Sequence, residues 1–103
     1  MYNINNIIME KEKVLNELQH VIQDQLTHRD SHYGDYIPPL PKPTDVLSHI
    51  CMDSFDIMEV TLKIEESLGI EIADEEWATL AERQGVATVN DFVDIIMSHY
   101  TKN

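Results

Sequence analysis

Ser54 stands between two acids in the run Asp53-Ser54-Phe55-Asp56, with His49 five residues upstream and Cys51 three. A serine in such company suggests two chemistries. It can be a nucleophile if a neighbouring base takes its proton, or it can be an ester-forming point on which something is carried. The first reading would pair Ser54 with His49 as base and Asp53 or Asp56 as orienter. Its other parts are missing, since the sequence has neither a nucleophile elbow nor a glycine-rich oxyanion loop. A chain of 103 residues also buries only about 60 to 68% of the surface its unfolded form exposes, which is little for a deep, lidded pocket. No catalytic residue is therefore assigned and an enzyme is not expected. Alone, Ser54 reads as an ordinary helix-start residue, because serine and aspartate both accept from the free N–H groups of a first turn.

The other chemistry-bearing residues yield less. There are five histidines, and His28 with His32 has a four-residue spacing, but both fall in an expected loop with no third ligand near, so no metal site is assigned. Cys51 is the sole cysteine. It permits no internal disulfide and no zinc cluster, fits a reducing compartment, and is expected to be a small buried apolar group, although its place three residues before Ser54 could instead expose it there. Trp77 and Phe92 are expected in the core, where large aromatics supply much of a small bundle's burial.

Nineteen acidic residues against seven basic ones give a formal net charge of −12. Such a chain repels nucleic-acid phosphates and anionic membranes and favours basic partners. The charge is uneven: about −2 falls on residues 1–43 and about −10 on residues 44–103, so a cationic partner is expected on the second part. The apolar stretch Ile4 to Met9 is broken by Asn5 and Asn6 and is far shorter than the roughly 20 residues of a spanning helix. A soluble, cytoplasmic, monomeric protein of one domain, residues 1–103, is the expectation, although Ile4, Ile7 and Ile8 could pack elsewhere.

These residues need elements to position them. Ile7-Ile8, Val14-Leu15, Leu18, Val21-Ile22 and Leu26 recur at three- and four-residue steps, which predicts a first amphipathic helix over about 7–26. Residues 27–53 abandon that period, and Pro38, Pro39, Pro41 and Pro43 forbid a helix and favour an extended path. A loop this long is uncommon in a compact domain, so Tyr33, Tyr36, Ile37 and Leu40 are expected to pin it to the bundle. Asp53 caps a second helix over about 54–68, with Ile57, Val60, Thr61, Ile64 and Leu68 inward and Gly69 as its stop. Asp74 is expected to cap a short third helix over about 74–84, with Trp77, Leu80 and Ala81 on one side and Gly85 past its end. The run Thr88-Val89-Asn90-Asp91 reads as a capping box opening a fourth helix, about 89–98. The fold class is all-α, a four-helix bundle with a long proline-rich loop after helix 1.

Within Thr44 to Ile72 the residues carry a resemblance. Asp53-Ser54-Phe55-Asp56 resembles the Asp-Ser-Leu-Asp signature of acyl carrier proteins, and Glu59, Glu65-Glu66 and Glu71-Ile72 follow as in that family's recognition helix without a gap. The likeness covers about residues 44–76, includes Thr44, Val46, Leu47 and Ile50 as loop anchors, and resumes at Thr88 to Ile96. It implies an acyl-carrier-like bundle in which Ser54 receives 4′-phosphopantetheine from coenzyme A, with Asp53 beside it. The group's thiol would hold acyl intermediates of fatty-acid or polyketide synthesis as thioesters. It further implies partners, namely a phosphopantetheinyl transferase and acyl-loading and acyl-processing enzymes whose basic patches dock on Asp56, Glu59, Glu65 and Glu66. Phe55 and Met58 would lie beside the arm or its acyl chain. The charge on the helix agrees with the first step, since a phosphodiester at Ser54 would sit at a helix N-terminus, where the dipole favours an anion.

The sequence also departs from the family pattern. Cys51-Met52 replaces a glycine-containing pair, Phe55 replaces leucine, Ser48 and His49 replace acids, and the stretch between Glu76 and Thr88 is lengthened. A specialised carrier is therefore expected rather than a housekeeping one. Two other readings stand beside it: an aminoacyl or peptidyl carrier loaded by an adenylation enzyme, and an acidic interaction module that is never modified.

Overall fold

The computed structural model describes residues 4–29 and 37–100, with side chains for 10–28 and 37–100. The expected pins Tyr33 and Tyr36, the apolar N-terminal side chains of Ile4, Ile7 and Ile8, and His32 lie outside the described side chains. Four α-helices follow one another among the described residues: α1 (Ile4–Arg29), α2 (Ser54–Leu68), α3 (Asp74–Glu82) and α4 (Val89–Tyr100), with a 3-10 turn at Leu47–Ile50. Among the described residues there is no strand; Val46 and Thr88 make one isolated antiparallel bridge.

α1 runs longer at both ends than its apolar period indicates, and it carries His28 on the helix rather than in a loop. Its Val14, Leu18, Ile22 and Leu26 form a buried stripe at four-residue steps. Against that stripe lie Ile57, Val60 and Ile64 of α2 and Val89, Phe92, Val93 and Ile96 of α4, all essentially without solvent contact. Each such side chain contributes about 1.5–3 kcal/mol by leaving water. α1 packs on both α2 and α4, while α3 packs on α2, adding Leu80 and Ala81. Thr61 shares the inner face of α2, and its Oγ1 donates to the Ile57 carbonyl at 2.8 Å, which removes the penalty of burying a hydroxyl.

Helix ends follow the side chains available. Gly69 closes α2 with φ +66°, the left-handed conformation glycine adopts freely, and its N–H donates to the Glu65 carbonyl at 2.9 Å. α3 departs from expectation at both ends. Its N-cap is Ala73, not Asp74; Asp74 is the first helical residue and accepts instead from Trp77 Nε1 at 3.3 Å. The helix stops at Glu82, because the Arg83 N–H reaches the Thr79 and Leu80 carbonyls and the chain tightens into a turn through Gly85, which does not become left-handed. α4 opens on a reciprocal box: the Thr88 N–H donates to Asp91 Oδ2 at 2.9 Å and the Asp91 N–H to Thr88 Oγ1 at 3.2 Å.

The long loop is held differently from the sequence expectation. Ile37 and Leu40, expected to pin it, are 64% and 42% exposed. The hold comes from α1, where Gln23 Nε2 donates to the Pro38 carbonyl and Gln19 Nε2 to the Pro41 carbonyl, both at 2.8 Å, with Pro41 buried. Downstream, residues 43–48 are laced to 84–90. Asn90 N–H bonds Pro43 O at 2.9 Å, Val89 N–H bonds Asp45 O at 2.9 Å, Leu47 N–H bonds Ala87 O at 2.9 Å and Ser48 N–H bonds Gln84 O at 3.0 Å.

Candidate functional site

The lacing delivers the chain to the 3-10 turn, and the turn ends at Cys51, whose φ of 67° makes it the one left-handed residue other than glycine among the described residues. That conformation is uncomfortable for a residue with a Cβ, by about 1–2 kcal/mol. It reverses the chain so that Met52 turns inward, 2% exposed, while Asp53 and Ser54 come out to solvent. The Met52 N–H returns to the Leu47 carbonyl at 3.1 Å and closes the turn. Cys51 is itself exposed, not the buried apolar group expected from its type, because the left-handed turn leaves the inward place to Met52.

Asp53 is the N-cap of α2 in an extended conformation, and its Oδ1 accepts the Asp56 N–H at 2.9 Å. Asp56 answers, its Oδ2 accepting the Asp53 N–H at 3.2 Å. Ser54 is thus the exposed first residue of a helix whose start is locked from both sides. The N–H groups of Ser54 and Phe55 stand in the first turn, ahead of the helix's own ladder, and give this end its positive character.

Asp56 has a second task. It is fully buried, and its Oδ1 takes Gln25 Nε2 of α1 at 3.2 Å. Gln25 Oε1 in turn accepts from Lys63 Nζ at 2.8 Å, and Lys63 Nζ lies 3.8 Å from Asp24 Oδ2. A buried carboxylate is tolerated where donors surround it, and this chain of contacts ties the start of α2 to α1.

The sequence-selected residues therefore separate. Ser54, Asp53, Phe55 and Glu66 are exposed, and Met58, Glu59 and Glu65 are half-buried. Phe55, Glu59, Leu62 and Glu66 follow one another at four- and three-residue steps and form an outward stripe, with Phe55 59% and Leu62 53% exposed. Glu65 Oε2 is engaged by the Ile72 N–H at 3.0 Å, which braces the link after α2. Asp56, grouped with the recognition acids from its charge, lies inside and presents nothing to a partner. Gln25 and Leu62 were not singled out by sequence reasoning; a glutamine between Ile22 and Leu26 on the apolar face of α1 is the signal that points to the first.

His49 is exposed, and the Ser54 hydroxyl has no hydrogen bond to it or to any other described side chain. Among the described residues no group of three metal-ligating side chains comes together. Among the described residues no helix is long and apolar enough to cross a membrane.

Acyl carrier proteins of Coprothermobacter proteolyticus, Rubrobacter xylanophilus and Lactobacillus acidophilus are 32%, 31% and 30% identical to this chain over 95, 93 and 92 residues. The alignments span 91%, 90% and 88% of this chain and 100%, 99% and 98% of those proteins. The chain belongs to the acyl carrier protein family. No family model and no solved structure matches it. As a family member it is a carrier in acyl-thioester biosynthesis and not an enzyme, which suits a serine displayed without a base. Within an acyl carrier protein the left-handed Cys51 also gains meaning. It occupies one place of the pair in which the family usually has a glycine, and the backbone takes the glycine conformation without the glycine.

Proposed function

We propose that Ser54 Oγ carries 4′-phosphopantetheine, delivered from coenzyme A by a phosphopantetheinyl transferase, and that the chain works as one cytoplasmic, monomeric carrier domain for fatty-acid, polyketide or related synthesis. The observation that carries this is the exposed Ser54 at the doubly locked start of α2, in a relative of acyl carrier proteins. The group supplies a terminal thiol on which an acyl chain is held as a thioester. The residues present fit it: the hydroxyl is exposed, the first-turn N–H groups and helix dipole favour a phosphodiester, and the Asp53 carboxylate is turned to the Asp56 N–H. Phe55 and Met58 supply apolar surface beside the attachment point.

Partners with basic patches dock on the outer face of α2, through Asp53, Glu59, Glu65 and Glu66. Asp56 is left out of that set because it is buried. Long-range attraction of this kind raises the rate of encounter more than the final affinity. Exposed Phe55 and Leu62 interrupt the acids, and with Cys51 in place of glycine they support a specialised carrier.

Intact mass after incubation with coenzyme A and a broad-specificity transferase tests the reading. One phosphopantetheine is expected on the native chain and none on Ser54→Ala. An unchanged mass in the native chain, with the transferase active on a control carrier, would sink the reading and leave an unmodified interaction module.

A further inference from the structure

The segment Ile37-Pro38-Pro39-Leu40-Pro41-Lys42 has neither helix nor strand, and Pro43 enters the turn that the Asp45 N–H closes on the Lys42 carbonyl at 3.0 Å. Covalent chemistry narrows its conformation further. Four prolines have φ fixed near −65°, and Ile37, Pro38, Leu40 and Lys42 each precede a proline, which drives them to extended or polyproline II values. A polyproline II helix repeats every three residues, so it has three faces. Pro38 and Pro41 share one of them, and they are the two residues whose carbonyls the α1 glutamines hold. Pro38 is half-buried and Pro41 buried.

The other two faces are open. Ile37 and Leu40, three apart, share one; Pro39 and Lys42, three apart, share the other, and all four are exposed. The carbonyls of Pro39 and Leu40 accept no hydrogen bond from the described residues, whereas those of Pro38 and Pro41 do. One face thus fixes the segment to the bundle, and the rest shows solvent two aliphatic side chains, a proline ring, free acceptors and a cation.

We infer that residues 37–42 form a preorganised docking strap, a polyproline II ligand displayed on α1 and read by a second protein through an aromatic-lined groove with an acidic rim. Grooves of this kind read such helices by packing aromatic rings on prolines and aliphatics while donating to exposed carbonyls. Preorganisation favours binding because the segment has little conformational freedom left to lose. The acidic rim follows from Lys42, the only lysine or arginine between Arg29 and Lys63 in a strongly acidic chain. A second copy of the chain is a poor reader, since Phe55 is the only strongly exposed aromatic among the described residues. Nothing in the inference depends on Ser54, so it stands or falls apart from the carrier reading.

The test places a photo-crosslinking benzoylphenylalanine at position 40 of the full chain, in the cells that make it, and maps the adduct by mass spectrometry. The expected result is one protein partner, linked within a cleft lined by tryptophan or tyrosine. Excess peptide spanning residues 36–43 should abolish the adduct, and Ser54→Ala should keep it. Replacing Pro38 and Pro39 with alanine should cut the yield roughly tenfold, the effect of two lost backbone restraints. Ile37→Ser, which leaves every proline in place, should also reduce it. No adduct, an adduct to α1 or to another copy of the chain, a link site without aromatics, or loss of the adduct in Ser54→Ala would each overturn the inference.

Discussion

α2 and α3 both begin after an extended residue, yet they begin differently. At α2 the N-cap Asp53 and the third helical residue Asp56 bond each other's backbones, and Asp56 is tied through Gln25 to α1. At α3 the N-cap is Ala73, which has no side-chain acceptor, so only half of the box exists: the Ala73 N–H donates to Glu76 Oε2 at 3.0 Å. Glu76 Oε2 also meets His99 Nε2 of α4 at 2.7 Å. The fold therefore concentrates fixing interactions where the serine is displayed and leaves the neighbouring helix start lightly held. On the carrier function proposed above, a site read by several enzymes benefits from one geometry, whereas α3 has only to cover part of the core.

The contrast can be broken from its strong side. Asp56→Ala removes the acceptor of the Asp53 N–H and leaves Gln25 Nε2 without its buried partner, so a loss of about 3 kcal/mol is expected, read as a fall in thermal midpoint by circular dichroism. A fall no larger than that of an exposed acid such as Glu66→Ala would show that the network does not hold the bundle. Gln25→Leu leaves Asp56 buried with one donor fewer and should cost about 1–2 kcal/mol in urea unfolding. It should also speed hydrogen exchange at the Asp53 amide, which a purely local effect on α1 would leave unchanged.

Strengthening the weak side comes next. Ala73→Asp completes the box at α3 and should add about 1 kcal/mol, measured in the same urea series. A neutral or negative result would mean that α3's start is set by packing on α2 instead. The smallest effect is expected at Cys51→Gly, which relieves a left-handed residue with a Cβ but gives the unfolded chain more freedom. A net gain of about 0.5 kcal/mol is expected, and destabilisation would mean that the cysteine side chain contributes contacts exceeding the strain.

Much of this was legible before the structure. α2 had clear punctuation, an aspartate before it and a glycine after it, around an apolar face at helical spacing, and the box at Thr88 and Asp91 was equally plain. What sequence could not supply were features set by tertiary neighbours. Acids are expected outside, so Asp56 was grouped with Glu59 and Glu66, and only the approach of Gln25 from α1 makes its burial tolerable. Ile37 and Leu40 were expected inside because they are apolar, but glutamine side chains hold the proline carbonyls and turn the aliphatics outward. Asp74 looked like a cap by type, yet the chain places it one residue further on. The left-handed Cys51 carries no signal in its own residue type, since cysteine has no preference for such a turn; the pointer is the glycine-containing pair that Cys51-Met52 replaces, and the lacing brings the chain to that point.

That lacing has a consequence for biosynthesis. The backbone partners of residues 43–48 are residues 84–90, some forty positions later in the chain. While the protein emerges from the ribosome in order, the segment leading to Ser54 exists long before anything is available to bind it. The turn that displays the serine is therefore completed by residues made some forty positions after it, and its geometry is fixed only once those residues have emerged.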